Sequence, residues 1–137
     1  MRYVPPFDLL KGFMTLSSER GQLKVSGPYE DFIKLLHTLI AGIEVDEGWY
    51  LERYPDIAEA IRQGLVPSAQ QHFTRDGYFE GRQPYPITID EAFYLEKYPG
   101  IADAIREGIV ASAQQHFDEN GYHEGRQPFA LASGDLP

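Results

Sequence analysis

Residues 46–84 read DEGWYLERYPDIAEAIRQGLVPSAQQHFTRDGYFEGRQP, and residues 90–128 read DEAFYLEKYPGIADAIREGIVASAQQHFDENGYHEGRQP. Laid over one another at an offset of 44, they are identical at 27 of 39 positions, so the chain holds one unit twice. A repeat changes what retention means. Residues that pack a unit must recur wherever the unit recurs, whereas a single active site seldom appears twice in so short a chain.

Each unit carries the signals of three short helices. In the first, Asp46 stands at an N-cap ahead of Trp49, Tyr50, Leu51 and Tyr54, and Pro55 ends that helix while opening the next. Ile57, Ala58 and Ile61 share one side of the second helix, which Gly64 closes. Ser68-Ala-Gln-Gln71 forms a capping box, followed by Ala69, His72 and Phe73 on one side and by Gly77 as a left-handed stop. The second unit repeats the signals at Asp90, Pro99 and Ser112. Helices this short are marginal in isolation, so packing must hold them. The expected core is Trp49, Leu51, Tyr54, Ile57, Ile61, Leu65, Val66, Phe73 and Tyr78, with the matching second set from Phe93 through Ile109 to Tyr122.

Ahead of the repeats, Met14 and Leu16 alternate against Leu23 and Val25 around Glu19-Arg-Gly21, which predicts a β-hairpin. Pro28, Glu30 and Asp31 mark a helix start, and Phe32, Leu35, Leu36, Leu39, Ile40 and Ile43 trace an apolar stripe. The chain is expected to be mainly α, with two tandem three-helix repeats preceded by a β-hairpin and an amphipathic helix, α+β overall. Its parts are 1–45 (hairpin plus helix), 46–84 (repeat 1), 85–89 (a connector), 90–128 (repeat 2) and 129–137 (a flexible tail). A lone hairpin leaves free edges, to be covered by the repeats or by a second chain in a homodimer.

The 137 residues carry 21 acids against 12 bases, a net charge of -9, which speaks against a phosphate backbone as partner. Residues 1–45 balance five acids with five bases, so the acidity belongs to the repeats. With no cysteine there are no disulfides, thiolate zinc sites or cysteine nucleophiles. No segment has the length of a membrane span, no signal core opens the chain, and a cytoplasmic location is expected.

Six residues invite a functional reading. His72 and His116 occupy the same place in both copies, as core histidines bonded to a backbone carbonyl or as ligand groups. No metal motif surrounds them, since zinc needs further ligands at suitable spacing. Arg82 and Arg126, with Glu80 and Glu124, sit in the loops closing each unit, where a guanidinium can tie loop carbonyls to a carboxylate or clamp an anion. Specificity is sought where the copies differ. There Phe79 in one closing loop faces His123 in the other, and Phe79 is the stronger candidate contact. Enzyme signatures such as GxSxG, a phosphate loop or HExxH are absent from the sequence, and no cofactor is implied.

The strings Tyr50-Leu-Glu-Arg-Tyr-Pro-Asp-Ile-Ala58, Ser68-Ala-Gln-Gln-His-Phe73 and Gly77-Tyr-Phe-Glu-Gly-Arg-Gln-Pro84 resemble a short bacterial repeat of the form YLxxYPDVA followed by HFxxxGxxEGRxP. Such units are similar to those appended to bacterial glycosyltransferases and to proteins of polysaccharide and surface loci. Asp56 fits that pattern and Gly100 departs from it. The resemblance implies an accessory or docking module. The expected function is a non-catalytic adaptor that binds a protein partner, with no nucleic acid and no membrane. The alternative is a small-molecule or saccharide binder with a cleft between the copies.

Overall fold

The computed structural model describes residues 2–132; of the expected flexible tail, residues 133–137 lie outside the described residues. The chain divides into two compact units at Glu80 and Gly81. The described residues are mainly helical, with one two-stranded antiparallel sheet among them.

The first unit opens on a short helix absent from the sequence expectation, α1 (Phe7–Lys11), which follows the extended Pro6. Strands β1 (Thr15–Glu19) and β2 (Gln22–Ser26) form the expected hairpin. Arg20 and Gly21 both have positive φ, 52° and 78°. That pair of left-handed residues gives a two-residue turn whose twist matches the strands. It sets the register from Glu19 opposite Gln22 to Thr15 opposite Ser26. Period-two alternation then puts Leu16, Leu23 and Val25 on one face. Every residue of both strands is exposed. Helix α2 (Tyr29–Ile40) follows Pro28 and buries Ile40. Beyond it the Arg2 N–H donates to the Gly42 carbonyl at 2.8 Å, and the Tyr3 backbone passes so close to Gly42 that a side chain there would overlap it.

Helices α3 (Glu47–Arg53), α4 (Pro55–Arg62) and α5 (Ala69–His72) build the first repeat, and α5 runs on into a π turn, Phe73–Gly77. In the second unit α6 (Glu91–Lys97), α7 (Pro99–Arg106) and α8 (Ala113–His116), with the π turn Phe117–Gly121, repeat the pattern. The caps are where the sequence puts them. Asp46 accepts the Trp49 N–H and Asp90 the Phe93 N–H, each at 3.0 Å. Ser68 accepts the Gln71 N–H at 3.0 Å and Ser112 the Gln115 N–H at 3.1 Å. Tyr54 and Tyr98, each ahead of a proline, leave helical geometry, so the chain bends between helices there.

Val45, Tyr50, Ile57, Ala69 and Phe73 form the first core; Ile89, Tyr94, Ile101, Ala113 and Phe117 form the second. Three expectations change. Leu65 and Ile109, expected inside, are 73% and 74% exposed. They follow Gly64 and Gly108 at φ 75°, and their N–H groups donate back to the Ala60 and Ala104 carbonyls at 2.9 Å, a helix-ending motif that turns the side chain outward. Second, residues 85–89 do more than connect. Ile89 is buried and Ile87 packs beside it. Their backbone is clamped by Gln114, whose amide accepts the Ile89 N–H at 3.0 Å and donates to the Ile87 carbonyl at 2.8 Å. Gln70 does the same to Val45 and Ile43, both at 2.9 Å.

Third, Gly77 and Gly121 are not left-handed stops, because neither has positive φ. Each lies in its π turn under a tyrosine hydroxyl, and a Cβ would overlap Tyr50 Oη or Tyr94 Oη. Gly77→Ala should therefore cost about 1–3 kcal/mol in urea unfolding. Gly100→Ala, with open space around its Cβ position, should be neutral or slightly stabilising. Combining Tyr50→Phe with Gly77→Ala should cost less than the sum of the two single losses, because the hydroxyl that the new methyl meets is gone.

Candidate functional site

His72 and His116 are each 8% exposed. His72 Nδ1 lies 2.9 Å from Tyr50 Oη, and His116 Nδ1 lies 2.8 Å from Tyr94 Oη. The partner is thus a hydroxyl carried by a helix 22 residues earlier, not the expected backbone carbonyl. Capping sets this geometry. The Glu47 carboxylate accepts the Ala69 and Gln70 N–H groups at 3.1 and 2.9 Å, holding the start of α5 against α3 so that Tyr50 and His72 meet. The other His72 nitrogen, Nε2, is 3.5 Å from a Glu80 carboxylate oxygen. A carboxylate only accepts, so an N–H on Nε2 suits this contact and leaves Nδ1 free to accept from the Tyr50 O–H.

In the second pair the surroundings favour the neutral form of both groups. Burial, and next the Arg126 guanidinium, push His116 below its ordinary value, with Glu124 and Glu119 opposing. Burial raises Tyr94 above its ordinary value, against the pull of Arg126. Arg126 itself stacks 4.8 Å over the Tyr98 ring while its Nε donates to Glu124 at 3.2 Å. The next residue extends this tie, as the Gln127 N–H donates to Tyr98 Oη at 2.7 Å and its amide accepts from Lys97 Nζ at 2.8 Å. Arg126 therefore ties the closing loop to α6. Arg82 holds the matching place in the first closing loop and is half-buried.

Phe79 is committed in part within its own unit. Its ring meets His37 of α2 edge-on at 5.2 Å, and His37 Nε2 lies 3.3 Å from the Arg75 carbonyl oxygen. The two sides bound an open cleft of about 520 Å³ whose lining includes Tyr29, His37, Arg75, Asp76, Phe79 and Glu80. The second repeat has Glu119, Asn120 and His123 where the first has Arg75, Asp76 and Phe79. The first-copy set is the one that faces α2. His123 is exposed and lies against Gly81, whose φ is 80°. The structure thus brings Phe79 and His72 to one cleft and places Arg126 in a tie between loop and helix.

Among the described residues no group of three or more His, Asp or Glu is arranged to hold a metal ion. Sequence reasoning missed Tyr50 and Tyr94 as partners of the histidines. The signal was present, because the tyrosine, histidine and glycine recur in both copies at the same spacing. No protein-family model matches the chain, and no curated protein or solved structure is significantly similar to it.

Two outcomes follow for stability. Tyr94→Phe should cost about 1–3 kcal/mol, because it leaves a buried imidazole nitrogen without its donor. A His whose folded value is depressed binds fewer protons folded than unfolded, so its contribution is complete above 6.5 and lost as pH falls through the folded value. The urea midpoint should accordingly drop between pH 7 and pH 5, and His116→Gln should make that drop smaller.

Proposed function

We propose that this chain is a non-catalytic binding or adaptor module that meets a protein partner through its N-terminal segment, with the repeats as an acidic, self-packed scaffold. One observation carries the reading. Of the fifteen large hydrophobic side chains that stand exposed among the described residues, nine lie between Tyr3 and Phe32. Apolar surface concentrated in this way marks interaction sites in folded proteins. The same segment is electrically balanced while the rest of the chain is acidic, so an apolar partner meets little net field there. The resemblance of the repeat supports a bacterial setting linked to polysaccharide assembly, and the cytoplasmic location belongs to the same reading. No helix among the described residues is long and apolar enough to cross a membrane.

The test is recovery of bound protein by immobilised chain. Leu23→Lys with Val25→Lys should abolish recovery while Ile109→Lys keeps it. Equal recovery by all three baits would overturn the assignment to this segment.

A second reading, a small-molecule or saccharide binder, is favoured by the cleft of the first unit, where Tyr29 and Phe79 flank Arg75, Asp76 and Glu80. A ligand at 100 times its dissociation constant should stabilise the fold by about 2.7 kcal/mol. A thermal-shift screen of sugars, nucleotides and anions in which nothing stabilises the chain would remove this reading.

A further inference from the structure

We infer that β1 pairs with β1 of a second copy of this chain, so that two hairpins join into a four-stranded antiparallel sheet of order β2-β1-β1-β2. The inference rests on the N-terminal segment being a contact surface and names one partner for it. The sheet has two strands, and all ten of its residues are exposed. A two-stranded sheet is marginal in water and presents unpaired N–H and C=O groups along its edges.

Hydrogen-bond phase decides what those edges offer. Glu19 and Gln22 flank a two-residue turn and bond to each other, as do Ser17 with Lys24 and Thr15 with Ser26. The intervening pairs, Leu16 with Val25 and Ser18 with Leu23, turn their backbone groups outward. Two-fold pairing of β1 about Ser17 would then bond Leu16 to Ser18 of the other copy, twice. It sets Ser17 opposite Ser17 and Thr15 opposite Glu19, with no like charges facing. The same operation on β2 centres on Lys24 and sets two ammonium groups face to face, which destabilises a sheet. Lysine on an outer strand is also how natural sheets block such pairing. β1 is the unguarded edge.

Charge favours a second copy here. Residues 1–45 are neutral and the net -9 lies elsewhere, so two chains approach with least repulsion through this segment. Joining the β1 edges also places both sets of Leu16, Leu23 and Val25 on one continuous face. A two-fold contact closes at the dimer, since each copy uses its single β1 edge once.

The test uses the full chain. Light scattering should give about twice the 15.6 kDa chain mass. Ser17 is exposed on the polar face of the hairpin, so its replacement leaves the fold intact by circular dichroism. Ser17→Lys and Ser17→Glu should each weaken dimerisation by about fivefold or more, and mixing the two should restore it. Lys24→Gln, which removes the charge without setting a like charge beside Glu19, should not weaken it. The sequence has no cysteine, so Ser17→Cys should oxidise to a covalent dimer, the facing pair being about 4.5 Å apart at Cα. A monomeric wild type, or Ser17 variants that dimerise like wild type, would overturn the proposal. Should the wild type be monomeric while Leu23→Lys with Val25→Lys still abolishes protein recovery, the dimer falls and the contact surface stands. Dimerisation intact with recovery unaffected by those two changes means the reverse.

Discussion

The hydroxyl of Tyr50 meets the imidazole of His72 at 2.9 Å, with the tyrosine fully buried and the histidine nearly so. A polar group taken out of water costs free energy unless it finds a partner, and here each group is the other's partner. The bond forms only if α3 and α5 keep one spacing, which Glu47 enforces from one side and Gly77 from the other. The π turn belongs to the same arrangement. The Tyr78 N–H reaches back five residues to the Phe73 carbonyl, and the wider turn brings a residue without a side chain under the hydroxyl. The second unit builds the same assembly from Tyr94, His116 and Gly121.

This constraint reorders the chain's conspicuous residues. Histidines repeated at one position look like a site, yet the His72 ring spends one nitrogen on a tyrosine and turns the other toward Glu80. Arginine repeated in the closing loops looks like an anion clamp, yet Arg126 lies between an aromatic face and a carboxylate of its own loop. What the repeats keep in common serves their packing. The first repeat diverges at Arg75 and Phe79, where it faces α2. Among the described residues the electrically balanced N-terminal segment carries nine of the fifteen exposed large hydrophobic side chains.

Much of this was legible in sequence because it depends on local chemistry. Caps at Asp46 and Ser68, the proline that opens α4 and the left-handed Gly64 each act over a few residues, and each stands where the spacing put it. The hairpin followed from alternation on either side of the turn at Glu19-Arg-Gly21. The misreadings concern residues whose role depends on distant atoms. Gly77 reads as a helix stop until Tyr50 is seen above it, and Leu65 reads as core until the helix-ending motif turns it out. Gln70 looked like one more capping-box residue, although its amide pairs with backbone 25 and 27 residues away. Of the six candidate residues only His72 and Phe79 line the cleft of the first unit, and Tyr29 and His37 of α2, which complete it, lie outside the repeat and carry no local signal.

The central claim is that a buried tyrosine–histidine bond locks each repeat. Proton NMR of the tyrosine hydroxyls tests it most directly, because hydroxyl protons exposed to water exchange too fast to be seen. The account predicts two slowly exchanging hydroxyl resonances, from Tyr50 and Tyr94, with cross-peaks to the rings of His72 and His116. Hydroxyl protons at those two residues lost to rapid exchange in the folded protein would contradict it.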